Sequence, residues 1–436
     1  MAALLKRFGE LAHRALPIGI GLVFLFIGQA LLARITGPEI YGFYGYLLTW
    51  VVTASLLAKA GYEWVLIKIV PGSIRGGHIG RIRFILERSF KAVSLRALTF
   101  TIILIAVGLT TDLGQGVTVG IALSCSFLVF FLSLNEIRRA LALAYGSVWF
   151  ADAPENIAKS VLMVAIAWAV VSENGSISVE VLFWANLSVT VATVVIASLV
   201  FFRLKMPDFL SVRPTHECMK GHNDLMRSMW LASFFNICLR SGDVLVVGAL
   251  TDPTTTGLYI VASRIASLAA TPATLLDQVV APRVAEAAEY GEKNRLRDLS
   301  WEYAVLSFVG CVVLLGFLAL FGVQFIRVLF GDAYQESLTI LWVLLAGHVA
   351  NAMTGPTGIL LSMTGSHRVS IVVSGASVIC YFFLLYLWAP TYFAMGAASA
   401  FSVAIGLKVL LQLLLVIRRL RFNPTVFQWP RFGKVS

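Results

Sequence analysis

Four ionisable residues stand where a charged side chain is hardest to keep. Arg240, Asp243, Arg264 and Lys408 each lie well inside a run of roughly twenty apolar residues. If such runs cross a membrane, each charge costs at least ~2.5–3.5 kcal/mol, so it marks a water-lined path, a ligand or a partner. Arg240 is about ten residues from either end of its run and Lys408 about nine from the nearer end. Both are too deep for the side chain simply to stretch to the aqueous boundary.

Asp243 and Arg264 invite a pairing. Asp243 lies seven residues before Leu250, Arg264 lies seven after Gly257, and the turn 251–256 separates the two runs. At 1.5 Å per residue both sit roughly 10 Å below the same surface. An ion pair is therefore expected, as a structural clamp, a gate or an ion-coupling point. With Asp243 neutralised, the deep charge that remains is positive. It comes from Arg240 and Lys408, with Arg264 a further member. Such a cation-lined cavity suits a phosphate-bearing anion, whose oxygens take charge-assisted hydrogen bonds from Arg and Lys. It does not suit a lipophilic cation, which needs acids or an aromatic cage.

Other chemistries find no footing in the residues. No P-loop, GxSxG or HExxH is present, and the six histidines are scattered. The five cysteines, Cys125, Cys218, Cys238, Cys311 and Cys380, have no metal-like or CxxC spacing, and no disulfide or cofactor is implied.

The elements that position the four charges follow from composition. Of 436 residues 58% are hydrophobic and 13% charged, where a soluble chain carries roughly 25% charged residues. Apolar blocks of this length must be helices, because hydrocarbon offers backbone groups no water. The blocks place spans near 17–33, 40–60, 90–109, 117–134, 157–171, 181–202, 229–250, 257–280, 303–321, 337–361, 370–388 and 393–417. The fold class expected is an all-α integral membrane protein of about twelve transmembrane helices. Its first block has no small-x-small cleavage pattern and reads as an uncleaved span.

The net charge of +11 comes from loops rather than from a nucleic-acid-binding face. The N-terminal tail, segments 61–96, 135–150, 203–228, 281–302 and 362–369, and the C-terminal tail hold 27 of the 34 Lys and Arg. The opposite loops hold only Arg34 and Arg327. By the positive-inside rule both termini are cytoplasmic, which requires an even number of spans. Lys59, Lys159, Asp277 and Glu63 then fall near inner ends of spans, where side chains can extend to water. Lys59, Lys159 and Asp277 are kept as secondary site candidates.

A repeat organises the whole. Ile35-Thr-Gly-Pro-Glu-Ile-Tyr-Gly-Phe-Tyr44 aligns without gaps on Leu250-Thr-Asp-Pro-Thr-Thr-Thr-Gly-Leu-Tyr259, at an offset of 215. Both copies join an outgoing span to a returning one. Proline starts the returning helix, glycine permits close packing, and tyrosine is expected at the headgroup level. Duplication of a six-span unit gives two six-helix halves of like orientation, a parallel repeat about a pseudo-two-fold axis along the membrane normal. The halves are 1–202 and 229–417, with a cytoplasmic linker 203–228 and a basic tail 418–436.

These residues resemble the polysaccharide flippases (Wzx-type) of the superfamily that also holds multidrug and toxin extrusion transporters. The carriers are Ala33–Tyr44, Ser241-Gly-Asp-Val-Leu-Val-Val-Gly248, Thr256-Gly-Leu-Tyr-Ile-Val-Ala262, Phe330-Gly-Asp-Ala-Tyr334 and Leu361-Ser-Met-Thr-Gly-Ser-His-Arg368. The resemblance implies flipping of undecaprenyl-pyrophosphate-linked oligosaccharide, or export of polysaccharide, across a bacterial inner membrane without ATP hydrolysis. It also implies work beside a polymerase and glycosyltransferases. Two alternatives stay open on the residues alone: a cation-coupled multidrug exporter of the same fold, and an integral enzyme acting on glycans. The short outer loops, about fifteen residues at most near 322–336, favour transport over catalysis.

Overall fold

Hydrocarbon leaves the backbone one choice, and the chain takes it almost throughout. The computed structural model describes residues 2–110, 117–205 and 223–428, with Val212 and Pro214 between the last two segments. Most of the expected linker 203–228 and the end of the basic tail lie outside the described residues. No strand occurs among the described residues. The chain divides into two compact units, Met1–Ile237 and Cys238–Ser436.

The first unit holds α1 (Ala2–Lys59), α2 (Tyr62–Arg75), α3 (Ile79–Thr110), α4 (Val119–Ala144), α5 (Val148–Ala153), α6 (Lys159–Asn174), α7 (Val179–Lys205) and the start of α8 (Asn223–Leu250). The second holds the rest of α8, then α9 (Pro253–Leu268), α10 (Thr271–Glu289), α11 (Lys293–Leu329), α12 (Ser337–Thr354), α13 (Thr357–Leu361) and α14 (His367–Leu420). Among the described residues, eight helices are long and apolar enough to cross a membrane, or nine with the bent pair α9–α10 taken as one span.

Two of the eight are double. The apolar part of α1 runs over 42 residues, about 63 Å at 1.5 Å per residue, twice the hydrocarbon thickness. It breaks at Gly37, whose φ of 77° and ψ of 167° belong to a region open only to glycine. Likewise α14, 54 residues long, breaks at Phe393 (φ 48°, ψ −126°). Counting two spans for each, and α3 for the stretch 90–109, gives twelve.

The two turn motifs are built alike. Thr36 Oγ1 donates to the Leu32 carbonyl at 2.9 Å, and Thr251 Oγ1 donates to the Val247 carbonyl at 2.8 Å. Where the first copy bends at Gly37, the second uses an N-cap: the Asp252 carboxylate accepts from Thr255 N (3.0 Å) and Thr255 Oγ1 (2.7 Å). The tyrosines depart from expectation. Tyr44 is 4% exposed and Tyr259 fully buried, so neither sits at a headgroup surface. Each hydroxyl finds a buried polar partner instead, Asn186 for Tyr44 and Asp243 for Tyr259. A tyrosine one and a half turns inside a helix faces its neighbours when those neighbours supply such a partner.

The fifth helix of each unit also begins the same way. After α4 the chain turns at Gly146 (φ 71°) into the six-residue α5, then a π turn at Pro154–Ala158, then α6. After α12 it turns at Gly355 (φ 74°) into the five-residue α13, a widened turn at Ser362–Ser366, then α14.

Small residues let these helices approach. A Cβ at Gly28 of α1 would fall 2.7 Å from Ser160 Cβ of α6, and one at Gly347 of α12 would fall 2.9 Å from Ser402 Cα of α14. Lipid tails are as apolar as leucine, so close backbone packing is what holds such pairs together.

Candidate functional site

The deep charges of the second unit come from three helices. Arg240 lies on α8, Arg264 on α9 and Lys408 on α14; the two arginines are exposed and Lys408 is half-buried. Among the described residues no carboxylate lies within ion-pair distance of any of the three. Arg240 is within electrostatic range of Arg264 and of His348 on α12. The His348 ring in turn sits 5.5 Å from that of Phe401. No charged neighbour acts on Lys408, which burial alone perturbs. Two arginines held near each other and a histidine repel, so the arrangement is stable only with water or an anion among them.

The expected Asp243–Arg264 pair is not formed. Asp243 is 1% exposed. Its Oδ2 accepts from the Tyr259 hydroxyl at 2.7 Å and its Oδ1 from Val244 N at 2.9 Å. Tyr381 lies beside it with its hydroxyl unpartnered among the described residues. Equal depth was the basis for the pair, and depth says nothing about direction around a helix. Tyr259 and Arg264 are five positions apart, about 140° around α9 at 3.6 residues per turn. The face that meets Asp243 is Tyr259's, which leaves Arg264 turned away. The carboxylate and the cations therefore occupy different faces of the same two helices.

The first unit treats its charges in the opposite way. Lys59 was expected to reach for the inner aqueous boundary. It is instead 8% exposed and pairs with Glu136 at 3.0 Å and Glu63 at 3.4 Å. Lys159 pairs with Glu155 at 3.1 Å, across the π turn. Arg139 pairs with Asp152 at 2.7 Å. Arg138 donates to Asn135 Oδ1 at 2.9 Å, to the Ala151 carbonyl at 3.1 Å and to the Phe150 carbonyl. Asn135 also donates to Glu155. Asp277, the last secondary candidate, is in the second unit and accepts from Tyr303 OH at 2.6 Å.

Most of this network was missed from sequence, because 135–150 reads as an inner loop. The structure continues α4 to Ala144, which buries Asn135 and Arg138. The signal was available: Asn135, Arg138, Arg139 and Ala142 follow the spacing of one helical face.

Comparison with known proteins places this architecture. A family model described as polysaccharide biosynthesis protein matches residues 31–339, more than half of the chain. Among solved structures, an inward-facing multidrug resistance MATE family transporter of the MOP superfamily is 17% identical. That match covers 94% of this chain and 98% of the other, with a TM-score of 0.73. A MOP superfamily transporter from Pyrococcus furiosus is 16% identical, with coverage of 94% and 95% and a TM-score of 0.67. An outward-facing MATE family transporter of the same superfamily, also 16% identical, covers 94% and 95% with a TM-score of 0.61. No curated protein sequence matches. At these identities the structures establish the fold, and the family model establishes kinship. The chain is a multi-pass membrane protein of the polysaccharide biosynthesis family, built on the fold of the MOP-superfamily transporters.

Proposed function

We propose that this protein moves an anionic lipid-linked sugar across a bacterial inner membrane. The substrate is an undecaprenyl-pyrophosphate-linked oligosaccharide or a related polysaccharide precursor, carried by alternating access with both termini cytoplasmic. One observation carries the substrate class: Arg240, Arg264 and Lys408 stand without acidic partners among the described residues. The first unit shows that this chain can pair its deep cations when pairing is what they are for. Unpaired Arg and Lys at membrane depth are complementary to pyrophosphate, and Arg offers it a planar fork of donors.

A cationic drug is the alternative cargo, since MATE transporters of this fold are described as multidrug resistance proteins. The acid it would need is Asp243, and that carboxylate is buried and held by Tyr259. The Pyrococcus furiosus relative is described as having a binding pocket of reverse polarity that suggests a different function, so pocket charge separates functions on this fold. Catalysis on the glycan is disfavoured by the outer connection after α11, which is only the seven residues from Phe330 to Glu336. Partners such as a polymerase or glycosyltransferases remain part of the proposal.

The test is deletion of the gene, with surface polysaccharide measured and accumulated lipid-linked intermediate identified by mass spectrometry. Loss of surface glycan with accumulation of a pyrophosphate-linked oligosaccharide on the inner leaflet is expected. Unchanged glycan together with new sensitivity to cationic drugs would replace this reading with drug export.

A further inference from the structure

The junction of α1 and α2 stores backbone strain. Ala60 has φ 45° and Gly61 φ 83°, two left-handed residues in succession. A side chain with a Cβ is uncommon in that region, so Ala60 is held there by its surroundings. Gly61 is required twice over: for its φ, and because a Cβ would fall 2.6 Å from the Met226 carbonyl oxygen of α8. Three residues on, Trp64 Nε1 donates to Ser233 Oγ of α8 at 3.2 Å. The bend is thus seated on α8, the helix that also carries Arg240 and Asp243.

A single ion pair spans the bend. Lys59 is the last residue of α1 and Glu63 the second of α2, 3.4 Å apart. The ammonium is shared, and its shorter contact, 3.0 Å, goes to Glu136 of α4. Glu136 has further cations at hand in Arg138 and Arg139. Glu63 has none but Lys59: it is 6% exposed, and both its oxygens are buried without a hydrogen-bond partner among the described residues. The other charged group at this corner, Arg96 of α3, lies over the ring of Tyr62, 5.4 Å from its centroid. Two carboxylates therefore compete for one ammonium, and Glu63 is the loser. Such a pair holds a proton on the less favoured member. Glu63 is on α2, beyond the span that closes at Lys59, and burial pushes its carboxyl above the usual range while Lys59 opposes the shift.

We propose that Glu63 is a proton-binding site that operates the Ala60–Gly61 hinge. A proton from the adjoining aqueous phase adds to the carboxylate and makes it a neutral acid. Lys59 then belongs to Glu136 alone, the brace across the bend is released, and α2 changes its angle to α1. Nothing in this depends on which substrate the protein carries.

The test uses the full chain in lipid nanodiscs, cysteine-free apart from spin labels at Val52 of α1 and Ile74 of α2, both exposed. Pulsed electron resonance gives the distance across the bend between pH 5 and pH 8, and infrared difference spectra of the same samples follow the carboxylic-acid band. The distance should titrate together with one such band. Glu63→Gln should fix the low-pH distance at every pH and remove the band. Glu136→Gln frees Lys59 for Glu63, so the midpoint should move at least one unit toward acid. A distance that ignores pH overturns the proposal. So does a Glu63→Gln protein that titrates like the parent, or a midpoint unmoved by Glu136→Gln.

Discussion

Replacing Arg240 by alanine separates a binding residue from a structural one, because the two roles predict opposite effects on stability. A guanidinium at membrane depth costs ~2.5–3.5 kcal/mol or more in the absence of a partner, and Arg240 has no ion pair among the described residues. Its removal strands no acid and relieves repulsion with Arg264 and His348. The purified Arg240→Ala protein should therefore melt at the parent temperature or above it. Binding should suffer instead. A charge-assisted hydrogen bond contributes ~1.5–3 kcal/mol, which is roughly a ten- to hundred-fold loss of affinity for pyrophosphate-bearing lipid. Surface glycan should fall to the level of the gene deletion while the protein stays in the membrane at parental abundance. Arg240→Lys keeps the charge without the fork and should retain partial output. Normal glycan from the alanine variant would remove Arg240 from the site. A marked fall in melting temperature would show that it had a structural partner after all.

Three further outcomes follow from particular contacts. Lys59→Met leaves Glu63 and Glu136 without their shared ammonium, so stability should drop by about 3–5 kcal/mol, read as an early thermal transition of the detergent-solubilised protein. Asp243→Asn keeps an acceptor for Tyr259 OH and should melt near the parent, whereas Asp243→Leu strands that buried hydroxyl and should lose about 1–3 kcal/mol; equal melting of the two variants would contradict the hydrogen bond. Asp252→Ala removes the N-cap of α9 and should lose about 0.5–2 kcal/mol at neutral pH. The Thr255 hydroxyl and backbone N–H hold the Asp252 carboxyl below its usual range. Its contribution is therefore full above the ordinary aspartate value of about 3.9 and fades as pH falls through the lower folded value, so the gap between parent and variant should close in acid.

The class of fold was legible because hydrocarbon imposes it: long apolar blocks have no alternative to helix. The twelve spans and the six-plus-six order follow from those blocks and from one repeated turn. What the sequence hid was direction. Asp243 and Arg264 share a depth, yet Asp243 turns to Tyr259 and Arg264 does not, since azimuth depends on packing that hydropathy does not record. The inner network around Glu136 was hidden for a related reason. Arg138, Arg139 and Asp152 look like a charged loop when counted one by one. On a helix that extends past the apolar run they become one buried, charge-balanced face. Arg240 was found because it is anomalous, whereas Glu136 was overlooked because its charge lies among others.

The widened turns at 154–158 and 362–366 also record an order of events. Each stands in the fifth helix of its unit, after a glycine turn and a helix of five or six residues. A turn of this kind adds a residue to the helix and shifts every later side chain about 100° around it. Such an insertion would ordinarily be lost, since it turns a packed face away from its neighbours. The two turns lie 208 positions apart and the two loop motifs 215, so the copies have since gained or lost about two helical turns between these landmarks. Through that drift the same uncommon turn stayed in the same helix of both. Its most economical history is a single insertion, already fixed in an ancestral six-helix protein before that protein was copied end to end.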